Sequence, residues 1–210
     1  MSKELVETHP KVLEQITKAI EAAVAHVPTT HEPLAADPVN RSAGIITSSS
    51  TKAAVLSGTV SLPPGPVGLL TIVPDLIGVW MIQQQMVADI AGAFGKQATL
   101  NQEQMLYCLF RHAASQGVRD LVVRVGERYL VRRASLKVLQ NALEKIGFKV
   151  TQRLLGRTIS RFLPIIGALA VAAYAFYDTH EVGKTAVELF SHDVDVEALP
   201  PAKEAAQVEA

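Results

Sequence analysis

The pattern of apolar and polar positions along the chain predicts a protein built mainly of helices. From Pro10 to Val27, apolar residues recur at steps of three and four, which is the period of one helix face. Glu14 and Lys18 lie one turn apart and are expected to pair on its surface. Residues 1–27 are therefore predicted to form an amphipathic helix. Residues 28–44, with three prolines and no apolar period, are predicted to form an irregular linker.

An uncharged run from Ala53 to Pro74 is long enough to suggest a membrane span, but turn-forming residues interrupt it. A span needs roughly 20 apolar residues whose backbone groups bond within the segment. Pro63, Pro64 and Pro66 each lack the backbone donor that a continuous helix would use. We therefore expect two apolar helices joined by a tight elbow, the second running from Pro74 to about Phe94.

Further helices are predicted on both sides of this run. The first of the two apolar helices is expected to begin near Ser50. Thr99 and Gln102 form a capping-box pattern that opens a helix to about Gln116. Helical patterns then continue from Val118 to Ile146.

A second uncharged run, residues 164–178, is rich in small side chains that allow helices to approach closely. We expect it to pair with the first run at the centre of the fold. The glycines expected at this contact are Gly65, Gly68, Gly78 and Gly167. The predicted fold is a single all-α domain of about six to eight helices, with two central apolar helical hairpin segments. It would span residues 45–192, followed by a disordered acidic tail over 193–210.

The charges are sorted along the chain although they sum to zero. Residues 111–161 hold 12 basic and 3 acidic side chains, a net of +9, whereas residues 162–210 have a net of −6. Four basic residues at four-residue steps form a stripe on one helix face, opposite an apolar side. Such a stripe is either an ordinary solvated face or a contact for anionic lipid. Nucleic acid is a weaker third reading, because no aromatic residues are interleaved. The basic residues concerned are Lys149, Arg153, Arg157 and Arg161 of the stripe, with Arg124, Arg128 and Arg132 before it.

Motifs for catalysis, metals and cofactors are mostly absent from the sequence. It has no G-x-S-x-G elbow, no H-E-x-x-H pair and no dinucleotide fingerprint, and we expect neither a metal nor a cofactor. Cys108 is alone, which excludes a disulfide framework and suits a buried residue in a reducing compartment. The charged N-terminus has no signal-peptide core, so the predicted location is the cytoplasm.

The candidate polar positions are Asp75, Asp89, Asp178 and His180. Asp75 and Asp89 lie 14 residues apart on similar faces of one predicted helix, and His112 or His180 could join them in an acid–base or metal site. Roughly 20 Å of helix rise separates the two carboxylates, too far to share one ion. We therefore favour a structural role, with Asp75 at the helix N-terminus and Asp89 bonded to a facing arginine.

Two stretches carry a family resemblance. "AAVLSGTVSLPPGPVGLLTIVPDLIGVWMIQQQMVADIAGAFGK" has a glycine-rich apolar turn, a proline-aspartate helix start and an alanine-aromatic-glycine ending. "GRTISRFLPIIGALAVAAYAFYDTHEVGKTAVELF" joins a basic amphipathic helix to a small-residue segment with a "VGKTA" ending. Together, over about residues 50–190, they resemble the EcsC family, although the family usually has Asn where this chain has Asp178. The resemblance implies a small bacterial protein linked by name to a transporter gene cluster that affects secretion. Related domains follow some membrane-linked GTPase modules.

These observations lead to one functional expectation and two alternatives. We expect a non-enzymatic bacterial helical module, cytoplasmic, that associates peripherally with the inner face of the cell membrane through its basic helix face and apolar segments. Its partner would be an anionic membrane surface or a membrane protein, not nucleic acid, and self-association into a homo-oligomer is left open. The first alternative is a soluble protein–protein interaction module, and the second is a hydrolase or metal-dependent enzyme that uses Asp75 and Asp89.

Overall fold

The structure is a computed structural model that describes residues 26–60, 72–112, 121–125, 127–132 and 164–197, with the separate positions 14, 17, 18, 20, 21, 146 and 148. The described part is mostly helical, which confirms a mainly α domain, and it also contains a small three-stranded sheet. The helices are α1 (Pro38–Val60), α2 (Ile72–Ala93), a 3₁₀ turn (Gln97–Thr99), α3 (Gln102–Phe110) and α4 (Pro164–Phe190). The strands are β1 (Val122–Val125), β2 (Arg128–Arg132) and β3 (Asp193–Glu197).

Helices α1, α2 and α4 pack on one another and form the body of the domain. A Cβ atom placed on Gly58 of α1 would lie 3.4 Å from Ala172 of α4. Near the other end of α1, Ile46 contacts Gly183. Since residue numbers fall along α1 as they rise along α4, the two helices run antiparallel.

Helix α1 begins earlier than the sequence pattern predicts. Asp37 accepts a hydrogen bond from the backbone N–H of Asn40 at 3.1 Å, and Pro38 follows it with a backbone angle suited to a first turn. The predicted start near Ser50 is therefore wrong, and the irregular segment ends before Pro38. That segment packs on α2, since the Ala35 N–H donates to the Ala93 carbonyl at 3.0 Å.

Helix α2 has the bounds that the sequence predicts, to within two residues, whereas α3 is shorter than predicted. Gly95 closes the turn after α2 with φ of 68°, a conformation that glycine adopts without steric cost. The capping box of α3 is made by Asn101 and Gln104, not by Thr99 and Gln102. The helix ends at Phe110, because residues 111–112 form a turn, and residues 113–116 of the predicted helix lie outside the described part.

The three strands correct two predictions. Strands β1 and β2 pair antiparallel, with Val122 opposite Val131, in a segment predicted to be helical. Branched and aromatic residues dominate both strands, and they favour a pleated, half-buried surface. Strand β3 pairs parallel to β2, with Arg128 opposite Asp193, so the first five residues of the predicted tail belong to the folded domain. Residues 198–210 lie outside the described part.

The main hydrophobic core fills the half of the molecule where α3 and the sheet cover the long helices. It combines α2, α3 and α4 through side chains such as Met86, Leu106 and Leu189, all fully buried. The described positions 14, 17, 18, 20 and 21 are helical, and Ile20 reaches this core. Glu14 and Lys18 form the predicted surface pair at 2.7 Å.

A second, much smaller core lies in the other half of the three-helix body. Its buried apolar residues in the described part of the chain are Ala53, Val79 and Ala175, with Leu56 and Ile82 packed against them. We call this group the small apolar cluster. The predicted contact of Gly78 with residues 167–175 is wrong, because a Cβ atom on Gly78 would instead meet Leu56 of α1 at 2.7 Å. Among the other predicted contact glycines, Gly65 and Gly68 lie outside the described residues, and Gly167 lies in the first turn of α4.

Candidate functional site

A ring of exposed apolar side chains surrounds the half of the body that holds the small apolar cluster. Its members come from all three long helices, and each is between 36% and 67% exposed. Isolated exposed apolar residues are common on protein surfaces, but a group of large ones at one end indicates an interaction surface. We call this group the apolar collar; it consists of Val55 of α1, Ile77 and Met81 of α2, and Leu169, Phe176 and Tyr177 of α4.

The collar is densest on α4. Leu169, Ala170, Ala173, Phe176 and Tyr177 are all exposed and recur at helical spacing, so they form one continuous face. This face extends over about 12 Å of helix rise and carries no charge.

Charged residues are excluded from this end of α1 as well. The last charged residue of α1 is Lys52, and the rest of the helix, residues 53–60, is uncharged. On α4 the first charged residue is Asp178, followed by Glu181. We call this end of the three-helix body the apolar tip; at the described positions of α2 it also includes one charged residue, Asp75, in the first turns of the helix.

Along α1 and α4, a layer of buried polar side chains lies between the small apolar cluster and the main core, whereas on α2 Trp80, next to Val79, belongs to the main core. Ser50 of α1, Gln83 and Gln84 of α2 and Thr179 of α4 are buried, three of them completely. Ser50 lies about one turn from Ile46, which contacts Gly183, and about one turn from Ala53, which packs in the small apolar cluster, so it lies near the level of Thr179. We call these four residues the polar layer.

Asp178 joins three helices at the margin of this layer. Its Oδ2 accepts from Gln83 Nε2 at 2.9 Å, and its Oδ1 lies 2.8 Å from His112 Nε2 just after α3. Tyr174 supplies a further hydrogen bond. Burial by itself raises the pKa of Asp178, but the hydrogen bonds and the charge of His112 outweigh it and hold the pKa below its ordinary value. The carboxylate is therefore ionised and fully engaged as an acceptor.

Four polar atoms in or beside the layer have no hydrogen-bond partner in the described part of the chain. They are Ser50 Oγ, Gln83 Oε1, Gln84 Nε2 and His112 Nδ1. A carboxylate can only accept, so His112 presents its Nε2 proton to Asp178 and leaves Nδ1 unpartnered. Buried polar groups are normally paired, so this concentration marks the least satisfied part of the described interior.

A second polar cluster ties α4 to α3 and the sheet. Arg111 forms an ion pair with Glu188, and the Tyr129 hydroxyl donates to the same carboxylate at 2.7 Å. Arg111 also lies over the Tyr107 ring, 5.4 Å from its centre. The hydrogen bond from Arg111 is the main cause that lowers the pKa of Glu188. All these groups are engaged with one another, so the cluster is a structural clamp.

The structure does not bring the predicted polar positions together. Asp89 accepts from Thr30 at 2.6 Å and from Gln85 at 2.8 Å, and not from the arginine that we expected. His180 stacks on Phe176, and Asp75 lies in the first turns of α2. In the ranges that the structure describes, no three His, Cys, Asp or Glu side chains are grouped as a metal site would require.

Sequence reasoning assigned no role to Gln83 or to the collar. The signal for Gln83 was a set of polar residues, Gln83 to Gln85, in an otherwise apolar helix. Its partner Asp178 lies 95 residues away, so only the fold reveals the contact.

The predicted basic residues fall partly within the described chain. Arg124 is exposed on β1, Arg128 lies 3.5 Å from Asp195 of β3, and Arg132 ends β2. The four stripe residues, Lys149, Arg153, Arg157 and Arg161, lie outside the described residues.

Comparison of the chain with protein-family models, curated proteins and solved structures finds no match. Within the described segments, none of the helices combines the length and the apolar character needed to cross a bilayer.

Proposed function

We propose that the protein attaches peripherally to an anionic membrane surface, with the apolar collar as the contact. The observation that carries the proposal is the gathering of Val55, Met81, Leu169 and Tyr177, each more than 60% exposed, around one end of the body, where residues 53–60 of α1 and 164–177 of α4 carry no charge. The setting would be the inner face of a bacterial cell membrane. The attachment would be non-enzymatic.

Burial of the collar supplies enough free energy for reversible attachment. Fully burying one large apolar side chain contributes about 1.5–3 kcal/mol. Because the six collar residues are on average about half exposed, each offers about 1 kcal/mol, and together they offer at most about 6 kcal/mol. Binding of this strength is marginal by itself, so a second attraction is needed for stable attachment.

The sequence offers a second attraction shortly before the start of α4. Arg161 precedes Pro164, the first residue of α4, by three positions, and three residues of chain span at most about 11 Å. Each basic side chain near an anionic surface adds about 1 kcal/mol before salt screening. The +9 charge of residues 111–161 therefore supports a surface that carries acidic lipid over one that is neutral.

Vesicle flotation tests the proposal. The parent should float with vesicles that contain acidic lipid, float less with neutral vesicles, and lose the difference at high salt. Met81→Gln/Leu169→Gln removes about 2 kcal/mol of apolar burial, so binding to acidic vesicles should be about 30-fold weaker. The matched control is Val39→Gln, which changes an exposed apolar residue at the opposite end of α1 and should bind like the parent.

A third variant separates charge from apolar contact. Replacing Lys149, Arg153, Arg157 and Arg161 together by Gln should weaken binding to acidic vesicles and leave binding to neutral vesicles unchanged. A parent that floats with neither vesicle refutes the proposal and favours a protein partner for the same collar. A parent that floats but is insensitive to Met81→Gln/Leu169→Gln shows that another surface makes the contact.

A further inference from the structure

Where α1 meets α4, the apolar tip is packed less firmly than the main core, and the polar layer lies between the two. The main core encloses large side chains, such as Phe110 and Phe190. The buried residues of the small apolar cluster in the described chain are Ala53, Val79 and Ala175, of which two are alanines. Regions with few buried apolar contacts open more easily than the rest of a protein, so the tip is the weaker of the two parts.

The polar layer weakens the connection further. Among the described residues, Ser50 Oγ, Gln83 Oε1 and Gln84 Nε2 are buried with no hydrogen-bond partner. Each would regain hydrogen bonds to water if the helices separated at this level. These unpartnered groups therefore raise the free energy of the closed form at the level where the small apolar cluster ends.

Hydrogen bonds at the same level limit how far the helices can separate. Asp178 binds Gln83 of α2 and His112 beside α3, so it holds α4 to both neighbours at the margin of the layer. Beyond it, the Arg111–Glu188 ion pair and the Tyr129 hydrogen bond tie α4 to α3 and the sheet. Trp80, on the tip side of Gln83, packs against Phe110 and keeps this part of α2 in the main core, so the contact that can loosen is the one between α1 and α4.

From these features we propose that α1 and α4 separate at the tip, as far as the polar layer, and that lipid binds the opened form. The inference rests on the proposed function, and it identifies how that attachment is controlled. Opening would expose Leu56, Val79 and Ile82 in addition to the collar, so lipid gains more contact with the open form than with the closed one. A ligand shifts an equilibrium only through such a difference in affinity between the two states.

A reversible lock between α1 and α4 tests the proposal directly. The Cβ atoms at positions 58 and 172 would lie 3.4 Å apart, close to the separation in disulfides. In Gly58→Cys/Ala172→Cys, oxidised with oxidised glutathione, binding to acidic vesicles should fall at least tenfold and return on reduction with dithiothreitol. Cys108 is buried in the main core and does not compete for the bond.

A second variant reaches the same question without a cross-link. Ser50→Ala removes an unpartnered buried hydroxyl, which should make the open form about tenfold rarer. If only the open form binds, the apparent Kd rises by the same factor. The rate of amide hydrogen exchange at residues 53–59 should fall by the same factor. The matched control is Ser48→Ala, an exposed position on the same helix, which should change neither quantity.

The outcomes separate this inference from the proposed function. If the parent does not bind acidic vesicles, the proposed function fails. If the parent binds and both the oxidised cysteine pair and Ser50→Ala bind equally well, opening is refuted while attachment stands. If the cysteine pair fails to bind even when reduced, Ser50→Ala decides: weaker binding and slower exchange support opening, and unchanged values overturn it.

Discussion

The contact between α1 and α4 predicts a stability change that can be measured as a difference between two glycine substitutions. A Cβ atom on Gly183 would lie 2.5 Å from Ile46 Cγ1 and 3.2 Å from Ile46 Cγ2. Because both branches of the isoleucine are in the way, rotation about χ1 exchanges one clash for the other. Gly183→Ala therefore forces α1 and α4 apart or displaces the buried Ile46.

The cost of this overpacking is about 1–3 kcal/mol. Alanine also favours a helix over glycine by about 1 kcal/mol, which partly offsets the cost. Gly44→Ala isolates that second contribution, since nothing lies within 4 Å of the added Cβ, and it should stabilise the protein. Gly183→Ala should thus be about 1–3 kcal/mol less stable than Gly44→Ala. For a chain of this size, the difference in Tm is about 3–10 °C.

Urea unfolding followed by the fluorescence of Trp80 provides the assay, because this single tryptophan lies in the main core against Phe110. Circular dichroism should report the same unfolding transition as the fluorescence, which checks that unfolding is two-state. In an Ile46→Ala background the clash is removed, so Gly183→Ala should then stabilise as Gly44→Ala does. Equal shifts for the two alanine variants in the parent background would show that the close α1–α4 approach is wrong.

Two further predictions concern pH. The lowered pKa of Asp178 adds stability above its ordinary value of 3.8, which is lost as the pH falls through the lower folded value. Asp178→Asn should therefore flatten the decline of unfolding free energy in urea titrations below about pH 4; an unchanged slope would contradict this role. Burial and the hydrogen bond to Glu188 raise the pKa of Tyr129 from 10.0 to about 12. The free energy of unfolding should therefore fall as the pH rises from 10.0 to about 12. In a pH titration, the phenolate absorbance of Tyr129→Phe should lack the late step of the parent. A late step that persists in this variant would show that another tyrosine is responsible.

The long helices could be predicted from sequence where local signals agreed. Helix α2 combines a proline near its start with an almost continuous apolar pattern and ends before Gly95, so its bounds were predicted to within two residues. The start of α1 had an equally local signal, Asp37 followed by Pro38, but the prolines of the preceding segment obscured it. The wrong prediction there reflects a missed helix cap.

The sheet and the polar site needed information that is not local. Residues 122–132 fit a helical period as well as a strand period, and pairing with β3, more than 60 residues later, decides between them. The bond between His112 and Asp178 joins residues 66 apart. Spacing along one helix could not reveal this contact. The 14-residue spacing on α2 pointed to Asp89 together with Asp75 instead.

The parallel pairing of β2 with β3 has a consequence for folding kinetics. Strands β1 and β2 are neighbours in the chain, but β3 follows α4 directly, and the intervening segment must return across the molecule before β3 can align. The entropy lost in closing so long a loop is recovered only when α4 docks and buries residues such as Val182 and Phe190. Completion of the sheet is thus coupled to docking of α4, and we expect β3 to be the last strand to join during folding and the first to detach during unfolding.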